Sequence, residues 1–155
     1  MATESILIGD IAMRNVHTVL PESPAIIAAK VMVDNGIRHL VVTDDYKKVL
    51  GVLSQRGILK ELSPWLSKIK GVPKPEGPIP YVAAEDVMSS PAITAREDET
   101  IQQAASLMAA EKLGCLPVVN GEDKLVGIVS VIDVLRYLSQ SGNAAPEEAG
   151  ELVAN

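Results

Sequence analysis

Apolar positions along the chain fall into short β-rich runs separated by longer stretches of helical spacing. Val16, Thr18 and Val19 open this pattern as a strand over residues 16–20. Ser23-Pro24 then supplies an N-cap residue with proline at the first helical position, and predicts a helix that runs to about Asn35 and is ended by Gly36. Residues 40–43 are a continuous apolar run of strand length, Asp44-Asp45 begins a turn, and residues 49–54 form the next strand. A short helix over residues 56–62 closes the unit. The succession then recurs, with a strand at 92–95, a helix near 100–111, a strand at 116–119, a turn at Asn120-Gly121, a strand at 124–130 and a helix at 131–138.

The recurrence is also one of residue identity. An offset of 76 residues lays 10–62 over 86–138 without a gap, and 12 of the 53 pairs are identical, among them Asp10/Asp86, Thr18/Thr94, Met32/Met108, Gly51/Gly127 and Ser54/Ser130. Average composition gives roughly three such pairs by accident. The chain therefore reads as α/β of mixed, α+β character, built from two tandem βαββα repeats. The expected organisation is a first repeat with its N-terminal segment at 1–62, a linker at 63–83, a second repeat at 84–141 and a mobile acidic tail at 142–155. The linker holds Pro64, Pro73, Pro75, Pro78 and Pro80 with Gly71 and Gly77, so it reads as extended. Lys68, Lys70 and Lys74 against Glu76 make it basic in an acidic chain. It is either a solvated connector or a docking segment for an acidic partner, with Trp65 as anchor.

Composition narrows the function classes. The 155 residues are 47% hydrophobic, yet no apolar run approaches the roughly 20 residues of a membrane span. The first residues lack the order of a signal peptide, and one cysteine, Cys115, excludes an intrachain disulfide and a thiolate metal cluster. A cytoplasmic protein is expected. Fourteen basic against twenty acidic residues leave a charge of −6, and the four aromatics are Tyr46, Trp65, Tyr81 and Tyr137. Neither suits nucleic-acid binding. No paired carboxylates, metal-ligand cluster or nucleophile with a base stands out, so no catalytic residue and no metal site are assigned. His17 is a candidate base only in isolation.

The most chemical stretch is Gly127-Ile128-Val129-Ser130-Val131-Ile132-Asp133, where a strand runs into a helix. A helix N-terminus suits phosphate. Ser130 and Asp133 lie near one turn apart and can face one cleft, where a carboxylate can accept both hydroxyls of a ribose diol, and Arg136 lies a further turn on. The same spacing is that of a capping box, with Ser130 at the N-cap and Asp133 at N3. Spacing alone leaves both readings open.

In order and in register with the repeat, Gly-x-x-Ser-x-x-Asp after the last strand of repeat two, Leu116-Pro117-Val118-Val119 in the middle strand, and the Val16-His17-Thr18 and Ala92-Ile93-Thr94 first strands resemble the CBS domain family. The resemblance implies a pair of such domains packed sheet against sheet about a pseudo-twofold axis. It also implies two clefts that take adenosine-containing ligands such as AMP, ADP, ATP, S-adenosylmethionine or NAD. By resemblance the ribose falls to Ser130 and Asp133, and the base to Ala92, Ile93, Leu116, Pro117 and Ile128, with Thr94, Cys115 and Arg136 beside them. Repeat one keeps Ser54 but has Gly57 where the carboxylate should stand, so a second, weaker site is expected around Val16, His17, Thr18, Leu40 and Ser54. Arg38 and His39 are placed to reach the phosphates of the first ligand. An unperturbed His39 would make binding of an anion weaken above about pH 6.5. Cys115 reads as a small buried residue or as a thiol sensor.

From Ala25 to Val33 only Lys30 is polar, so the first long helix needs cover on two sides. Its own sheet is one, and a second chain is the other, which predicts a homodimer. The leading expectation is a regulatory module, not an enzyme, that binds an adenosine-containing small molecule and alters its affinity for an unidentified protein target. No cofactor is expected, save magnesium accompanying a polyphosphate. The rival expectation is a ligand-free scaffold that dimerises and docks a protein partner.

Overall fold

The computed structural model describes residues 5–66 and 76–141. Repeat one comprises α1 (Ile8–Ile11), β1 (Thr18–Val19), α2 (Ala25–Asn35), β2 (His39–Thr43), β3 (Val49–Ser54) and α3 (Gln55–Leu66). Repeat two follows as α4 (Ala84–Val87), β4 (Ala95–Arg96), α5 (Ile101–Glu111), β5 (Cys115–Val119), β6 (Leu125–Ser130) and α6 (Val131–Ser141). Each repeat forms a three-stranded sheet in chain order, its first strand parallel to the second and its second antiparallel to the third. The expected tandem α+β architecture is present.

Strand periodicity sorts the side chains. Leu40, Val42 and Leu53 enter one core with Ala25, Ala28, Met32, Ile58 and Leu62. Leu116, Val118 and Val129 enter the other with Ile101, Ala104, Met108 and Val134. The intervening positions Val41 and Pro117 belong to neither core yet are fully buried, because they lie on the two sheet faces that meet. The Asp44 and Asn120 turns form as expected. Asp44 Oδ1 accepts the amides of Tyr46 and Lys48, and Asn120 Oδ1 those of Glu122 and Lys124.

Each repeat completes the other. Ile8, early in the chain, is fully buried in the core of repeat two, and Ala84 in the core of repeat one. The backbone bonds obey the same 76-residue offset. Ile8 N–H donates to Glu99 O (2.8 Å) as Ala84 N–H donates to Ser23 O (2.8 Å), and Ile101 N–H donates to Ile6 O (3.0 Å) as Ala25 N–H donates to Val82 O (2.7 Å). Met13 bridges Ile128 and Ser89 bridges Val52. The repeated glycines admit these segments. A Cβ at Gly51 would stand 2.8 Å from Ser89 O, and one at Gly127 would stand 3.1 Å from Met13 O. Asp10 and Asp86 each accept the amide three residues earlier, at Leu7 and Ala83 (3.1 Å), and so hold the short helices α1 and α4. The N-terminal segment grouped with residues 1–62 by chain order therefore packs within repeat two.

The exchange explains several departures from the expected elements. The first strands shrink to Thr18–Val19 and Ala95–Arg96, leaving Val16, His17, Ala92, Ile93 and Thr94 outside them. Residues 14–17 and 90–94 cross from one sheet to the other and cannot remain in a ladder. Pro24, not Ser23, is the N-cap of α2, and Ser23 Oγ accepts the Leu20 amide at 3.1 Å. Helix α3 continues past residue 62 through Pro64 to Leu66. Pro64 has no amide for the Lys60 carbonyl, which instead accepts the Ser63 hydroxyl at 3.3 Å. Of the expected linker, 63–66 are thus helical and Ala83 is buried. Its residues 67–75 and the expected acidic tail lie outside the described residues.

Removing the Ile8 side chain beyond Cβ leaves a cavity in the core of repeat two. Ile8→Ala should cost about 2–5 kcal/mol, read as a lower urea midpoint at unchanged m-value. An unchanged midpoint would show that residues 6–13 are a loose arm and not part of that core.

Candidate functional site

Crossing segments bring the two repeats together around a cavity of about 890 Å³. One wall is the end of β3 and the start of α3, with Val52, Ser54, Gln55, Arg56 and Lys60. A second is the crossing segment with Ser89, Pro91, Ala92 and Ile93, and a third is Lys112 to Cys115, before and at the start of β5. Arg38 and His39 close the space from repeat one. His39 lies against the turn before β5, where a Cβ on Gly114 would stand 2.8 Å from its Cε1.

Several expected site residues meet here, in a different grouping. Ala92, Ile93, Cys115, Arg38 and His39 share the cavity with Ser54, and Ser130, Asp133 and Arg136 do not line it. The reason is the crossing. Residues 90–94 leave the edge of β3, where Ser89 is bridged to Val52, and so pass Ser54 on their way to β4. By the repeat offset, Val16 and His17 take the corresponding path past Ser130, where Ile128 stands in the place of Val52. Leu40 and Leu116 are fully buried within their own cores, and Pro117 lies between the sheets. None of these three, nor Thr18 or Thr94, lines the cavity.

At the start of α6 the capping box is formed. Asp133 Oδ2 accepts the Ser130 amide (2.8 Å) and hydroxyl (2.7 Å), and Ser130 Oγ accepts the Asp133 amide (3.2 Å). Asp133 Oδ1 is 3.4 Å from an Arg136 guanidinium nitrogen, and the Asp133 side chain retains 13% exposure. At the start of α3 Ser54 Oγ accepts the Gly57 amide (3.0 Å), and among the described residues no carboxylate lines the cavity beside it. The lining residues Gln55, Arg56, Lys60 and Lys112 were not among the expected ones. Lys60 had a signal, since it aligns with Arg136, and Lys112 aligns with Gly36.

Two groups on the cavity wall are shifted. Burial and the neighbouring Arg38 guanidinium hold the His39 imidazole below its ordinary 6.5. The condition for binding to weaken above pH 6.5 is therefore not met, because an imidazole held below that value loses its charge at lower pH. Burial pushes the Cys115 thiol up to about 12, so it is not a thiolate at neutral pH.

The sequence profile of the CBS domain matches residues 8–64 and 84–140. The chain belongs to the CBS domain family. An uncharacterized protein from Methanopyrus kandleri is 32% identical over 132 residues, which is 85% of this chain, and the chain spans 62% of that relative's length. The CBS domain pair of protein MJ0100, solved with 5′-methylthioadenosine and S-adenosyl-L-methionine, superposes with a TM-score of 0.73 at 26% identity, over 88% of this chain and 98% of that one. CBSX2, from Arabidopsis thaliana, solved with AMP, superposes at 0.69 and 28% identity, over 87% and 97%. No helix among the described residues is long and apolar enough to cross a membrane.

Two measurements follow from the shifted groups. With its folded pKa below the unfolded 6.5, His39 takes up its proton in the unfolded chain first, so stability falls as pH drops through 6.5. The melting temperature should decline between pH 7.5 and 5.5, and His39→Gln should flatten that decline; an identical pH profile in the variant would refute the assignment. At pH 8 the native Cys115 should resist a thiol reagent, with thiolate at about one part in ten thousand, and react once the protein is unfolded in urea.

Proposed function

We propose that this CBS domain pair is a regulatory module whose clefts between the repeats take an adenosine-containing ligand and thereby alter its association with a protein partner. The observation that carries this is the cavity of about 890 Å³ built from both repeats, within the range of small-molecule sites. A ligand seated there touches β3, α3, the crossing segment and β5 together, so binding is coupled to how the repeats sit on each other. The neighbours solved with AMP and with S-adenosyl-L-methionine support an adenosine ligand. In the counterpart cleft, Ser130 and Asp133 are the residues for a ribose diol. The capping bonds do not conflict with this role, because they use Oδ2 and leave Oδ1 with only the long Arg136 contact.

Self-association belongs to the same reading. Helix α2 buries Ala25, Ala28 and Met32 and leaves Ile26, Ile27 and Val33 exposed at 36%, 50% and 67%. A second chain packed around Ala25 to Val33 would cover them. The scaffold reading draws support from a second exposed apolar set on α6, where Ile132, Leu135 and Leu138 are more than half exposed.

Thermal unfolding against AMP, ADP, ATP, S-adenosylmethionine and NAD, each at about 1 mM with a guanine nucleotide as control, separates the two. A ligand at 100 times its dissociation constant adds about 2.7 kcal/mol. A selective rise is expected, and no rise with any ligand would leave the scaffold. Asp133→Ala should weaken the diol-dependent event by roughly a hundredfold, the worth of two hydrogen bonds to a charged group. Sedimentation should show a dimer at about 100 μM, and a monomer would remove the interface on α2.

A further inference from the structure

The cavity beside Ser54 carries positive charge that no described lining residue balances. Arg38, Arg56, Lys60 and Lys112 line it together with His39, and among the described residues no carboxylate does, in a chain of net charge −6. Eleven lysines and arginines lie among the described residues. Five of them, Arg14, Lys30, Arg96, Lys124 and Arg136, pair with carboxylates. Of the six that form no ion pair among the described residues, four line this one cavity.

The repeat offset shows the concentration to be one-sided. It carries Arg56 onto Ile132, Lys112 onto Gly36 and Gly57 onto Asp133. The cavity has the cations and lacks the carboxylate; the equivalent positions around Ser130 have the carboxylate and two aligned cations, Arg136, which already faces that carboxylate, and Arg38, which stands in the place of Gly114 and lines the first cavity. Lys112 also stands where the backbone disfavours it. As the C-cap of α5 it has φ 55, while its counterpart Gly36 has φ 63, a left-handed conformation that suits glycine. Lys112 adopts this conformation in spite of its Cβ and lines the cavity. The start of α3 adds little to this charge, because the Gln55 amide donates to Arg38 O (2.9 Å) and the Gly57 amide to Ser54 Oγ.

We infer that this cavity selects its ligand by the charge of a phosphate chain and does not read the sugar diol. Its ligand is a di- or triphosphate, carried on a nucleoside if the regulatory reading above holds, on which that detail rests. The two clefts of the module thus take different chemistry, polyphosphate beside Ser54 and a ribose diol beside Ser130. S-adenosylmethionine, with its cationic sulfonium, is a poor match for the cationic cleft.

The test is calorimetric titration of the full chain with ATP, 2′,3′-dideoxy-ATP, adenosine, S-adenosylmethionine and inorganic tripolyphosphate. It is made in the parent, Lys112→Gly and Lys47→Gly. Lys47 is a matched control, since it too has positive φ (64) and no ion pair among the described residues, but does not line the cavity. Lys112→Gly should weaken triphosphate binding by about tenfold, as expected for one charge-assisted contact, while raising the melting temperature of the free protein. Lys47→Gly should leave the affinity unchanged. The Lys112-dependent event should not distinguish ATP from its dideoxy form and should weaken with added salt.

An unchanged affinity in Lys112→Gly, an equal loss in Lys47→Gly, or a Lys112-dependent event that requires the sugar hydroxyls would overturn the inference. Binding of adenosine or S-adenosylmethionine as tight as that of ATP at the Lys112-dependent site would overturn it while leaving the regulatory reading intact. Binding of tripolyphosphate with no adenosine compound binding would uphold the charge selection and defeat the adenosine reading. No binding by any of the five would defeat both.

Discussion

Neither repeat can close its core without a short segment that precedes the other. Ile8 fills the space among Ile101, Leu116 and Val129, and Ala84 does the same for Ala25, Leu40 and Leu53. The exchange is fastened by matched backbone hydrogen bonds, so it satisfies donors and acceptors as well as burying apolar surface. It depends on close approach at two glycines, Gly51, where a side chain would collide with the arriving backbone, and Gly127, where it would crowd it. The two units of sequence are for this reason one unit of stability.

The position of the cleft follows from the same exchange. A segment that begins bonded to the edge of one sheet and ends as the first strand of the other must pass over the gap between them. Its crossing residues become walls. Ala92 and Ile93 acquire Ser54 as a neighbour in this way, and Gly114 and Cys115 meet His39 where the repeats abut. The cavity is thus shared property of both repeats, and its lining reports on their mutual placement.

Much of this was legible in the sequence. The unbroken offset, the alternation at Leu40–Val42 and Leu116–Val118, the turn residues Asp44 and Asn120, and the Ser130–Asp133 cap all carry local or periodic signals that survive folding. What was not legible depends on partners distant in the chain. Nothing local in Ile8 says which core it enters, and the shared Asp10/Asp86 and Gly51/Gly127 pairs acquire meaning only once the crossing is seen. The first strands were drawn too long because β-rich composition cannot reveal that their early residues leave the sheet. The lowered His39 pKa arises from burial between repeats, which no neighbour in sequence announces, although Arg38 beside it does. A lysine after a helix, as at Lys112, carries no signal in sequence until its backbone is known to be left-handed.

The exchange also orders events during synthesis. Ile8 leaves the ribosome about 126 residues before Val134, the last member of the core it fills. At ordinary rates of elongation that interval is on the order of ten seconds. Through that time residues 6–13 wait for a complete partner core, whereas repeat one has all of its core once Ala84 emerges, 50 residues before Val134. Repeat one can therefore close first, and the second core closes last around a segment made at the start of synthesis, which favours whatever shields short apolar segments at the tunnel mouth.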